Sequence, residues 1–121
     1  MLPKQHRLPL RTEFRRIKKQ GKFIQGSFFS LIICSRLSVA GCQSASRFAF
    51  IVSKKINPLA TRRNRIRRLL SEAIYSGIAE IKPGFDFVFL VKKSILGKNL
   101  TEIKKEISQF LTNEKIYPRS D

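Results

Sequence analysis

Between Arg62 and Ser76 the chain spaces its apolar residues as a helix does, yet five of the seven residues from Arg62 to Arg68 are arginine. At about 100° per residue, Ile66, Leu69, Leu70, Ala73 and Ile74 gather on one arc. Asn64, Arg65, Arg67, Arg68, Ser71 and Glu72 fall on the other side, and Arg62 and Arg63 sit at the helix mouth. Thr61 is placed to cap it. Such a helix must bury its stripe against an apolar surface and leave its cationic side open. The remaining elements have to supply that surface.

They read as strands and two further helices. In RFAFIVS, Arg47 to Ser53, Phe48, Phe50 and Val52 alternate onto one face, with Ala49 and Ile51 on the other. Little on either face is polar, so both faces are expected to be covered. FDFVFLV, Phe85 to Val91, is a second apolar strand after the Pro83-Gly84 turn. Two more are expected at Lys22–Gln25 and Phe28–Arg36, broken at Gly26 and Ser27, with a small polar loop around Ala40–Ser46. A first helix spans Thr12 to Gln20, with Thr12 as cap, Glu13 in its first turn and Gly21 at its end. Its Phe14 and Ile17 share a face. A last helix spans Leu100 to Thr112, with Asn99 as cap and Glu102 at its third position. Ile103, Ile107, Phe110 and Leu111 form its stripe, and the tail after Asn113 is expected to fray. The order is α-β-β-β-α-β-α, an α+β fold with helices packed on one sheet. At 121 residues, one domain over residues 1–121 is expected, enough for one core.

The charge balance narrows the partner. Lys and Arg number 25 against 8 Asp and Glu, a net charge of +17. Self-repulsion of that size is relieved by a polyanion. No stretch approaches the roughly 20 apolar residues of a membrane span, and MLPKQHRLPLRTEF lacks the apolar run of a signal peptide. Cys34 and Cys42 could pair in principle but form neither a disulfide framework nor a metal-ligand spacing. Cys34 reads as a small core residue, and a reducing cytoplasm is expected.

Protein-based catalysis finds little support. His6, the only histidine, sits in the chain's first turn rather than in the body of the fold, and one histidine is too few for a multi-histidine metal site. Gly97-Lys98-Asn99 lacks the earlier glycine and the Ser or Thr of a Walker loop. The carboxylates are few and spread out. What stands out is a cation cluster: Lys54 and Lys55 ending a strand, then Arg62, Arg63, Arg65, Arg67 and Arg68, joined by INPLAT. Arginine grips phosphate through paired hydrogen bonds, and Asn64 can bond base edges or backbone oxygens. A helix N-terminus carries about half a positive charge, so arginines there repel it. A phosphate relieves both terms, since the free N–H groups attract it too. The alternative is a solvated basic face.

RFAFIVSKK followed by ATRRNRIRRLLSEAIY resembles the bacterial ribonuclease P protein subunit. The Arg63-Asn64-Arg65 stretch matches that family's Arg-Asn-Arg hallmark, behind a strand ending in Ser-Lys-Lys, with Arg67, Arg68 and Leu69 continuing the pattern. LPKQHRL, the Glu13-Phe14 pair, Gly21 and FDFVFLV also fit, so the likeness runs from Leu2 to about Leu111. It implies an α/β sandwich with a four-stranded sheet and a left-handed βαβ crossover, against the usual right-handed rule. It implies binding to the catalytic RNA of ribonuclease P and to precursor tRNA, whose 5′ leader that RNA removes with Mg²⁺. No metal on the protein, no membrane and no obligatory protein partner are implied, and the setting is the bacterial cytoplasm. The RNA contact falls on Lys54, Lys55, Arg62, Arg63, Asn64, Arg65, Arg67 and Arg68.

A cleft between the first helix and the sheet would hold the leader, with Phe14, Lys18, Ser30 and Ile32 in it. Two positions depart from the family pattern. Lys18 stands where many members have a second aromatic, and Ile32 where many have Tyr. The cleft would then rely less on stacking and more on charge. Phe14 is either a stacking platform or an ordinary core residue. Other basic proteins weighed against this reading are a structural RNA-binding protein, a membrane-surface protein and a nuclease acting alone.

Overall fold

A computed structural model describes residues 2–35, 45–114 and 116. The elements are α1 (Leu10–Gln20), β1 (Lys22–Ile24), β2 (Phe29–Ser35), β3 (Arg47–Ile51), α2 (Ala60–Tyr75), β4 (Phe85–Val91) and α3 (Leu100–Asn113). Their order is the predicted one. Single 3₁₀ turns at Lys4–His6, Ile78–Glu80 and Lys93–Ile95 join them and were not foreseen. The four strands form one mixed sheet in the order β1-β2-β4-β3. β2 pairs antiparallel with β1 and β4, while β3 runs parallel to β4, with α2 in the connection between them.

The alternation within the strands divides the core in two. Phe29, Leu31, Ile33, Phe48, Phe87 and Phe89 point to one face, where Leu70, Ala73 and Ile74 of α2 and Ile103, Ile107, Phe110 and Leu111 of α3 cover them. Ile32, Cys34, Ala49 and Val88 point to the other, beneath Ile17 of α1 and Leu8. Both faces are covered, by α2 and α3 on one and α1 on the other, which explains the near-continuous apolar runs. Phe48 stacks on Phe87 with centroids 4.9 Å apart, and Phe29 lies 5.0 Å from Phe89. Such aromatic pairs add to what area burial alone contributes.

Several expected boundaries move. Thr12 is not a cap: α1 begins two residues earlier, after Pro9, and the Thr12 hydroxyl donates to the Pro9 carbonyl. Thr61 is not a cap either, because α2 begins at Ala60 with Leu59 at the capping position. In both, the turn before the helix, built on Pro9 or Pro58-Leu59, starts the coil ahead of the hydroxyl. Asn99 does cap α3, its Oδ1 accepting the Glu102 amide. Ser71, placed on the open side of its helix, is buried. Ile116 is not frayed: it is buried and exchanges backbone hydrogen bonds with Leu111 and Lys82. Arg36, Cys42, most of the Ala40–Ser46 loop and residues 117–121 lie outside the described residues.

Candidate nucleic-acid interface

The start of α2 is built to stay open. Leu59 has no side-chain acceptor, so the first-turn amides lack the side-chain cap that most helices have. No acidic residue lies in that turn. The loop before it is fixed from within. Asn57 Oδ1 accepts the Leu59 amide at 3.0 Å, and Arg63 Nη1 donates to the Asn57 and Pro58 carbonyls at 3.0 and 2.9 Å. Arg63 therefore spends part of its fork on the loop. Arg67 donates to Asn64 Oδ1 at 2.9 Å, which orients the amide. Arg62, Arg65 and Arg68 are exposed and make no side-chain bond among the described residues. Lys54 and Lys55 are also exposed, on the turn that leaves β3, past the strand's end rather than in it. A groove beside the helix is lined by Arg62, Arg65, Ile66, Leu69, Leu96 and Lys98.

On the opposite face of the sheet, α1 is tied down by charges the sequence reading passed over. Asp86 is fully buried in β4. Arg47 Nε and Nη2 meet its two oxygens at 2.9 and 3.0 Å, and Arg16 Nη2 of α1 meets it at 2.5 Å. Glu13 closes the network, accepting from Arg16 at 3.2 Å and Arg47 at 3.3 Å. Burial works against the Arg16 charge, but hydrogen bonds to Asp86 and Glu13 outweigh it and hold its pKa above the ordinary value. Arg47 is raised as well, chiefly by its bond to Asp86. The signal for this cluster was present: one aspartate inside the apolar run FDFVFLV, if buried, calls for a cation or hydrogen-bond donors beside it.

The four residues expected in a cleft beside α1 separate. Ser30 and Ile32 are buried, 5% and 6% exposed, so neither presents much surface to a ligand. Phe14 is half-buried and packs on the core beneath α1, while Lys18 is exposed. Phe23, which was not singled out, is 54% exposed on the same sheet face.

The family model "Ribonuclease P" matches residues 2–115. This chain belongs to the ribonuclease P protein family. Relatives named "Ribonuclease P protein component" include one from Clostridioides difficile, 34% identical over 87% of this chain and 88% of its own length. Another, from Synechocystis, is 34% identical over 95% of this chain and 90% of the relative. The ribonuclease P protein from Thermotoga maritima has the same fold, with a TM-score of 0.77 at 27% identity, covering 88% of this chain and 96% of that one. Membership supports a subunit role in tRNA 5′ processing, within an endoribonuclease holoenzyme that is a ribonucleoprotein and so has an RNA partner. No helix among the described residues is long and apolar enough to cross a membrane, and none of their His, Cys, Asp or Glu groups could hold a metal ion.

Proposed function

We propose that this chain binds the catalytic RNA of ribonuclease P through the mouth of α2 and receives the 5′ leader of precursor tRNA beside α1. Hydrolysis of the leader is then performed by the RNA with Mg²⁺ that the RNA holds, in the bacterial cytoplasm. One observation carries this reading: Arg62, Arg65 and Arg68 stand exposed, without side-chain partners among the described residues, beside a helix start that lacks a cap. Exposed arginines on the first turns of a helix whose start has no side-chain cap are suited to receive phosphates. Arg63 and Asn64 set the shape of that place. Arg62, Arg65, Arg68, Lys54 and Lys55 supply its charge.

Binding of the catalytic RNA across a salt series tests this reading. About five phosphate contacts give log affinity against log salt a slope of roughly −3.5 on single strands and steeper on duplex. A slope near zero, or equal affinity for unrelated structured RNA, would contradict it.

A further inference from the structure

We propose that Phe23 is the stacking platform for a base of the single-stranded leader, an inference that rests on the leader-binding reading above. Phe23 lies on β1, the edge strand of the sheet, and pairs with Ile32. Residues paired across strands share a face, so Phe23 points to the α1 side in one row with Ile32, Val88 and Ala49. Its neighbours Lys22 and Ile24 point the other way: Lys22 pairs with Glu114 at 3.1 Å and Ile24 packs on the opposite core. A phenylalanine that is 54% exposed gains little from folding.

The path of α1 leaves this ring exposed at the sheet edge. Leu8, just before it, donates to the Phe48 carbonyl of β3, Arg16 reaches Asp86 and Cys34 on β4 and β2, and Gly21 lies against Ile32. α1 therefore crosses the strands, with Arg16 and Glu13 over the Arg47–Asp86–Cys34 row. Arg11, Phe14 and Lys18 lie roughly 160–220° around the helix from Arg16. That flank looks along the sheet toward the row of Ile51, Leu90 and Ser30, with Phe23 at the open edge. Arg11 and Lys18 are exposed. The one carboxylate of α1, Glu13, is held on the other flank by Arg16 and Arg47. Cations along a wall and an exposed aromatic at its end fit a single strand, whose phosphates and unpaired bases are both available. A duplex would offer phosphates but no base face. Phe23 thus supplies an aromatic to a cleft that has Lys18 and Ile32 at two other positions.

The test uses the holoenzyme reconstituted from this chain and the ribonuclease P RNA. Phe23→Ala should weaken precursor tRNA binding by roughly fivefold to a hundredfold. Affinity for mature tRNA and for the RNA subunit should stay unchanged. An abasic site walked along the leader should reproduce the loss at one position, and there Phe23→Ala should add nothing. The chain has no tryptophan, so Phe23→Trp places a single tryptophan, excited apart from the tyrosines at the red edge of its absorption, whose emission precursor should quench and mature tRNA should not. Equal losses for precursor, mature tRNA and RNA subunit would place Phe23 against the RNA subunit or in folding and overturn the proposal. So would losses that add at every abasic position, or unquenched emission. If the wild-type chain fails to stimulate the RNA subunit, the proposed function itself falls. If it stimulates while Phe23→Ala keeps full leader discrimination, only this inference falls.

Discussion

Arg47 of β3 and Asp86 of β4 lie opposite each other in the parallel pair of strands and join side by side, Nε to Oδ1 at 2.9 Å and Nη2 to Oδ2 at 3.0 Å. Arg16 brings α1 onto the same carboxylate. One buried charge therefore sets the position of the helix that walls the proposed leader groove.

Replacing Asp86 by Asn should leave two guanidinium groups with only the Glu13 carboxylate as counter-charge. The expected cost is about 3 kcal/mol, the low end for a broken buried pair, because both arginines retain some water. Thermal unfolding should show a fall in Tm of roughly 10 °C. A shift within about 2 °C would mean the network contributes little beyond geometry.

The arginines of α2 should divide by what they touch. Arg65→Ala should weaken RNA binding and reduce the salt slope by about one, with stability unchanged. Arg63→Ala should also cost about 1 kcal/mol of stability, since it frees the Asn57 and Pro58 carbonyls. Urea unfolding beside RNA titration of both variants checks this. Equal stability for the two would return Arg63 to the exposed face.

Much of this was legible in the sequence, and what was missed has physical causes. Periodicity found α1, α2, α3 and the longer strands because each buries a stripe or packs both faces, while the short β1 was marked by the break at Gly26 and Ser27. It misplaced Thr12 and Thr61 because proline-led turns start their helices early. It could not rank Ser30, Ile32 and Phe23 by exposure, since which residue of a strand stays open depends on where α1 crosses. The Asp86 network joins positions far apart in the chain, and its only local trace is one acid in an apolar run. The arginines at the mouth of α2 stood out because cations there oppose the helix dipole, and the helix does begin beside them.

Gly21 ends α1 where no side chain fits. A Cβ there would stand 2.5 Å from the Ile17 carbonyl and 2.6 Å from Ile32 Cγ2. Gly21→Ala should cost about 1–3 kcal/mol and shift α1 on the sheet. Precursor binding should weaken while mature tRNA binding holds. Unfolding and binding measured on the same variant decide it, and a neutral Gly21→Ala would show that the contact relaxes freely.

Phe14→Ala should cost about 2 kcal/mol of stability, below the 3–5 of a fully buried ring, since Phe14 is half-buried against the core cluster beneath α1. Its loss of precursor affinity should be smaller than that of Phe23→Ala. The reverse order would make Phe14 the principal platform.

Cleavage of precursor tRNA at low Mg²⁺, by the chain alone, the RNA subunit alone and the two together, bears most directly on where catalysis resides. The chain alone should leave the mature 5′ end unformed, and adding it to the RNA should raise cleavage there well above the RNA by itself. Accurate cleavage by highly purified protein without RNA, or no stimulation of the RNA, would contradict the reading.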